Sequence, residues 1–267
     1  MKYLAQALFL LSLLTLSLLI QRAAHAASPC RENGRCELDG RTYQVKAPEN
    51  WDGVSPLPVL IHFHGWGRTG SNVLNNPRIT NATENNGFLL VAPDGLGKSW
   101  DFWGNSSRDT PFIRSLTKDL PQKWPIDSSQ IYVSGFSYGG AMAWRLACES
   151  GDQFAGILPI ADTLWQQDTI NCKGGPINVA QVHGLKDNVM RLPRGETGDD
   201  PLNGIELCRR TNNCKAEPDL VEKLDIFTCH HWTSCDSGKD TSICLHNYGH
   251  MIPKGWLNLA LAEAVKK

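Results

Sequence analysis

The residues best placed to do chemistry surround Ser137, in the run Gln130-Ile131-Tyr132-Val133-Ser134-Gly135-Phe136-Ser137-Tyr138-Gly139-Gly140. An apolar, β-prone segment enters G-x-S-x-G and leaves through Ala141-Met142-Ala143-Trp144-Arg145-Leu146-Ala147-Cys148, which reads as a helix. Strand, sharp turn, helix is the order a nucleophile elbow needs, because the hydroxyl must project above the sheet edge from a strained turn. Gly135 and Gly139 leave room where side chains would collide. The competing reading is a glycine-rich helix entry that merely packs closely on a sheet.

A serine nucleophile needs a site for the developing oxyanion. Pro58-Val59-Leu60-Ile61-His62-Phe63 reads as a short buried strand that empties into His64-Gly65-Trp66-Gly67. An H-G turn at this place supplies one backbone N–H, and the residue after the nucleophile supplies the other. The expected donors are the amides of Trp66 and Tyr138. His62 and His64 also share a strand face and so have the form of a metal pair, but no third ligand follows in the sequence. The reading requires neither metal nor cofactor.

An acid and a base should follow in the order Ser, Asp, His. Ile177 to His183 reads as a strand leading into Gly184-Leu185-Lys186-Asp187, which puts Asp187 50 residues after Ser137. Ile243-Cys244-Leu245-His246 is a further strand leading into Asn247-Tyr248-Gly249-His250, with His250 another 63 residues on. All three residues then lie just past the carboxyl ends of strands, where open α/β sheets build their sites. His250 is expected to take the proton from Ser137, and Asp187 to hold the imidazole tautomer. Asp162, after the strand Ile157-Leu158-Pro159-Ile160, competes for the acid's role. Asp94 reads as structural, His183 as a packed strand end, and His230 and His231 lack a Gly-flanked turn.

Pro125 through Cys148, with His64-Gly65, His183-Gly184, Asp187 and Gly249-His250, resembles secreted esterases of the polyhydroxybutyrate-depolymerase type, which are related to feruloyl and acetyl xylan esterases. The resemblance covers most of the chain beyond its leader. It implies an α/β-hydrolase fold, with a mostly parallel sheet and helices on both faces, and Ser137, Asp187 and His250 as the triad. Members commonly carry alanine where this chain has Tyr138, and cysteine or glycine where it has Trp66. Both departures crowd the mouth of the site.

Lys2, the apolar run Leu4 to Ile20 and Ala24-His25-Ala26 form a secretory signal peptide with an A-x-A cleavage pattern. Cleavage after Ala26 leaves residues 27–267, 241 of the 267, as a single catalytic domain. No stable membrane anchor is expected after cleavage, and the protein is expected to be secreted or periplasmic. Loss of Lys2 and Arg22 moves the net charge from −1 to −3, with 24 basic against 27 acidic residues. That balance excludes a nucleic-acid partner. All nine cysteines follow the leader, as an oxidising compartment would have it. Cys148–Cys172 and Cys30–Cys36 are the expected bridges, with two more among Cys208, Cys214, Cys229, Cys235 and Cys244, and one thiol left over. A zinc cluster at Cys229-His230-His231 with Cys235 is the weaker reading in a secreted chain.

Ser99-Trp100-Asp101-Phe102-Trp103 follows a strand, so Trp100 and Trp103 are expected to wall the entrance and bind a planar or ring-bearing group. Residues 191–203 read as one long loop beside the acid, a lid or a solvated insertion. The expected activity is hydrolysis of short-acyl, hydroxyalkanoate or hydroxycinnamoyl esters, with a small-molecule or oligomeric ester as the partner. A prolyl-oligopeptidase-like secreted peptidase shares the elbow sequence, but 241 residues leave no space for its extra domain. A catalytically silent binding protein on the same fold is disfavoured by the intact Ser, Asp, His order.

Overall fold

The computed structural model describes residue 30 and residues 34–165, 172–192 and 202–266. The expected leader and positions 193–201 of the 191–203 loop lie outside the described residues. In chain order the elements are β1 (Arg35–Leu38), β2 (Arg41–Lys46), β3 (Leu57–Phe63), α1 (Gly70–Leu74), α2 (Pro77–Asn85), β4 (Leu89–Pro93), α3 (Asp109–Lys123) and β5 (Ile126–Phe136). There follow α4 (Tyr138–Ser150), β6 (Gly156–Ile160), β7 (Asn178–Gly184), α5 (Asn203–Thr211), β8 (Leu220–Leu224), β9 (Phe227–Trp232), β10 (Thr241–His246) and α6 (Trp256–Ala264).

Ten strands form one sheet in the order β1-β2-β4-β3-β5-β6-β7-β10-β9-β8. The central six, β4 to β10, run parallel, and antiparallel strands extend both edges. The parallel strands are rich in apolar residues because helices cover both faces. β4 and β6 are buried at every position. One face packs Phe112, Ile113 and Leu116 of α3, Met142 and Leu146 of α4, and Ile205 of α5. The other packs Val73 of α1, Ile79 and Ala82 of α2, and Leu257 and Leu261 of α6. The layers are those of an α/β-hydrolase.

Helix α4 is apolar nearly all round because it lies in the densest part of the core, with Gly139 to Cys148 buried. Its one buried cation, Arg145, is paired with Glu149 and donates to the Gly104 carbonyl at 2.5 Å, which fastens the aromatic loop to the elbow helix. Disulfides join Cys30–Cys36, Cys148–Cys172, Cys214–Cys235 and Cys229–Cys244. The last spans directly paired positions of β9 and β10. Cys208 is the leftover thiol; it is buried, and burial pushes its pKa up to about 12. With Cys229 and Cys235 both bridged, the zinc reading of that segment falls away. No described helix is long and apolar enough to cross a membrane.

Candidate active site

Strand β5 delivers Ser137 to the carboxyl edge of the sheet and α4 begins at the next residue. Ser137 has φ 54° and ψ −125°, at positive φ and outside the regions L-residues favour. The strained turn persists because its surroundings over-determine it. The Ser137 N–H donates to the Ile160 carbonyl at 3.0 Å and its carbonyl accepts from Ala141. Two close approaches require glycine. A Cβ on Gly135 would lie 2.2 Å from the Gly139 oxygen, and one on Gly139 would lie 2.1 Å from the Phe63 oxygen.

The acid and base turns are neighbours because β7 and β10 are neighbours. Val182 pairs with Cys244, His183 with Leu245 and Gly184 with His246, so the two strands end level. The Leu185 N–H donates to the His246 carbonyl at 2.8 Å and the Lys186 N–H to Tyr248 at 3.1 Å, locking one turn against the other. From these turns His250 Nδ1 and Asp187 Oδ2 meet at 2.7 Å. Oδ1 of Asp187 accepts from the Val189 and Met190 amides, each at 2.8 Å. Burial pulls the Asp187 carboxyl up, but the His250 hydrogen bond and these two amides outweigh it and hold the pKa below the usual carboxylate range. The rival acid, Asp162, spends Oδ1 on the Thr163 amide and the Trp165 indole, both within three residues of it. His183 is buried, with Nε2 2.7 Å from the Met190 carbonyl.

Ser137 and His250 line one open cleft of about 880 Å³ together with Trp66, Phe136, Tyr138, Val189, Met251 and Ile252. Trp66 and Tyr138 flank the serine from two elements. Gly65 accepts from the Arg68 N–H at 3.1 Å, closing a turn with Trp66 and Gly67 at its centre. Tyr138 opens α4, where a helix has no internal acceptor for its N–H.

His64 props the turn from below. Its Nδ1 donates to the Gly65 carbonyl at 2.9 Å, Nε2 accepts from the Gly95 amide at 3.0 Å, and burial lowers its pKa. His64 thus has no free ring nitrogen to offer a metal, while burial lowers the pKa of His62 to about 3 and keeps its ring neutral. Among the described residues no group of three or more His, Cys, Asp or Glu is arranged to hold a metal.

Trp100 corrects the expectation of an aromatic wall at that position. It is only 2% exposed, its indole N–H donates to the His64 carbonyl at 2.8 Å, and it packs edge-on against Phe63. It holds the H-G turn from beneath and cannot touch a ligand in the cleft. Trp103 is exposed but stands behind Tyr138, in a cluster with Phe102 and Trp165, rather than in the cleft lining. The exposed ring beside the serine belongs instead to Trp66, 71% exposed. Phe136, whose ring lies 4.8 Å from that of His250, and the α1–α2 wall of the cleft were not singled out by the sequence. Phe136 was legible as the x of G-x-S, but its direction depends on the turn.

A family model described as Phospholipase/Carboxylesterase matches residues 108–207, which contain the elbow and Asp187. A probable feruloyl esterase C of Aspergillus niger is 26% identical over 92% of this chain and 91% of its own. A feruloyl esterase C of Emericella nidulans is 28% identical over 63% of each chain. Among solved structures, an acetyl xylan esterase from Aspergillus awamori superposes with TM-score 0.65 at 15% identity, over 80% of this chain and 90% of its own. A Bacillus cereus carboxylesterase gives 0.58 at 12% identity, over 85% and 95%. Fold and kinship together define a carboxylic ester hydrolase on the α/β-hydrolase fold. Within that class the chain is related to the feruloyl esterases, and its fold is that of the acetyl xylan esterase.

Proposed function

We propose that residues 27–267 form a single exported catalytic domain, released from the 1–26 leader, that hydrolyses short-acyl, hydroxyalkanoate or hydroxycinnamoyl esters through Ser137, His250 and Asp187. The observation that carries the reading is the 2.7 Å contact between His250 and Asp187 beside a strained Ser137 lining the same cleft. Ser137 Oγ attacks the ester carbonyl carbon while His250 takes its proton. The amides of Trp66 and Tyr138 receive the oxyanion, each worth about 3 kcal/mol in the transition state. His250 returns the proton to the departing alkoxide oxygen, and water repeats the sequence to free the acid and restore Ser137. Asp187 stays ionised throughout and stabilises the imidazolium. The four disulfides support export to an oxidising compartment.

The feruloyl esterase relatives and the exposed Trp66 ring, with Phe136 and Tyr138 beside it, support an acid or alcohol part that presents a flat face. The test is a panel of nitrophenyl esters from acetyl to palmitoyl, with methyl ferulate and a peptide nitroanilide, run on the protein and on Ser137→Ala. Turnover of short and hydroxycinnamoyl esters that vanishes in the variant, with phosphonate labelling at Ser137, is expected. Best efficiency on palmitoyl, or turnover of the nitroanilide alone, overturns the reading.

A further inference from the structure

The cleft continues past Ser137 into a polar lobe between the H-G turn and the start of α2. Its wall is Arg68, Asn72, Asn75, Asn76 and Arg78, and its floor includes His62. No aspartate or glutamate is among the cleft's lining residues. Both arginines are exposed, and among the described residues neither meets a carboxylate. Arg78 is oriented across the cleft by donation to the Ile252 carbonyl, two residues beyond His250. Arg68 lies two residues after Trp66, so their Cα atoms are at most about 7.6 Å apart.

Two further features favour negative charge in this lobe. Helix α2 begins there with Asn76 as cap and Pro77 first, and has no acidic residue in its first turn to offset the positive end of its dipole. His62, 1% exposed, has Nδ1 without a partner. In the tautomer that carries its proton on Nδ1, the ring offers a buried donor to a hydroxyl or carboxylate oxygen placed in the lobe. The rest of the cleft lining is largely apolar, with Phe136, Val189, Met251 and Ile252. A fully apolar substrate would leave this polar half of the site unused.

We propose that this lobe is a subsite for a carboxylate carried by the ester substrate, with Arg68 and Arg78 as the specificity-determining cations. The proposal rests on the ester-hydrolase reading and narrows its substrate class to acidic esters. The carboxylate can sit on the acyl side, as in a half-ester of a dicarboxylic acid or an acid-terminated hydroxyacid chain. It can equally sit on the alcohol side, as in an ester of an acidic sugar.

Two matched pairs separate these sources. Mono-4-nitrophenyl glutarate against 4-nitrophenyl pentanoate reports the acyl side, and 4-acetoxybenzoate against 4-acetoxybenzamide the alcohol side. The quantity read is the ratio of kcat/KM, acid over neutral, in the protein and in the Arg68→Gln/Arg78→Gln double variant, which cancels intrinsic reactivity. One pair should lose about fivefold in that ratio, the scale of partly exposed ion pairs, and the same preference should shrink between 0.05 and 0.5 M salt. Should the double variant melt early, Arg68→Gln alone carries the test. Binding of 4-acetamidobenzoate against 4-acetamidobenzamide, measured by calorimetry, keeps the proposal separate from turnover. A protein that hydrolyses no ester yet prefers the acid through the two arginines retains the subsite and loses the esterase reading. Ratios unchanged in both pairs and in binding overturn the subsite.

Discussion

Asp187→Asn tests the candidate triad at its most constrained atom. In the structure Oδ1 of Asp187 accepts two amides, from Val189 and Met190, at 2.8 Å each. An asparagine must keep its carbonyl oxygen at that position, since an NH2 there would face two N–H donors. Its amide nitrogen is therefore forced into the place of Oδ2, 2.7 Å from His250 Nδ1. A donor at that distance requires Nδ1 to be the acceptor, so the ring proton moves to Nε2. The base then presents a proton, not a lone pair, to Ser137. A tautomer held wrongly in this way costs on the order of 10⁴ in kcat, or about 5.5 kcal/mol. The assay is kcat with 4-nitrophenyl acetate, with near-UV circular dichroism as the check that the domain is intact. A loss below about tenfold in a folded variant would refute the role of Asp187. A larger loss from Asp162→Asn would move the acid to the preceding strand.

His250→Ala should reduce kcat about as much as Ser137→Ala, roughly 10⁶-fold, and the double variant should lose no more than either alone, because the residues act as a unit; additive losses measured on the same ester would contradict this. Gly184→Ala should cost 2 kcal/mol or more and most of the activity, because its Cβ would stand 2.4 Å from the Tyr248 oxygen and 2.6 Å from that of Gly249, inside the base turn; wild-type melting and turnover would contradict it. The depressed pKa of Asp187 also has a sign in stability. Its contribution is complete above the unfolded carboxylate pKa of about 3.9 and is lost as pH falls through the lower folded value. Urea titrations should show the protein outlasting Asp187→Asn by a margin that shrinks below about pH 4; a margin that grows on acidification would contradict the assignment.

The parallel strands were legible because burial on both faces enriches them in apolar residues, as in Leu57–Phe63 and Leu89–Pro93. The elbow was legible because its glycines are dictated by backbone contact. The edges were not. β8, Leu-Val-Glu-Lys-Leu, is mostly exposed, and its pairing with β9 leaves no apolar signature in its sequence. Trp100 shows why local sequence misleads about a wall: a tryptophan in a loop over the site reads the same whether it faces a ligand or, as here, the carbonyl of His64. The polar lobe was invisible for a related reason. Arg68 and Arg78 belong to different segments and share a cleft only after α1 and α2 fold back beside β3.

The level ending of β7 and β10 bears on how the site tolerates change in the chain between them. Ile177, just before β7, exchanges two hydrogen bonds with Asn212, Val179 takes a bond to Asp240, and Asn178 bonds Ala155 and Asp240. The excursion through α5, β8 and β9 is thus tied off at its base, while the acid and base are held by the strands themselves. Lengthening a flexible loop costs little, about 0.6 kcal/mol for each doubling. β9 is closed to such change, since it pairs along the whole of β10 and is bridged to it by Cys229–Cys244, whereas the mostly exposed edge strand β8 and the turn that joins it to β9 can be lengthened or trimmed without moving the strands that carry Asp187 and His250.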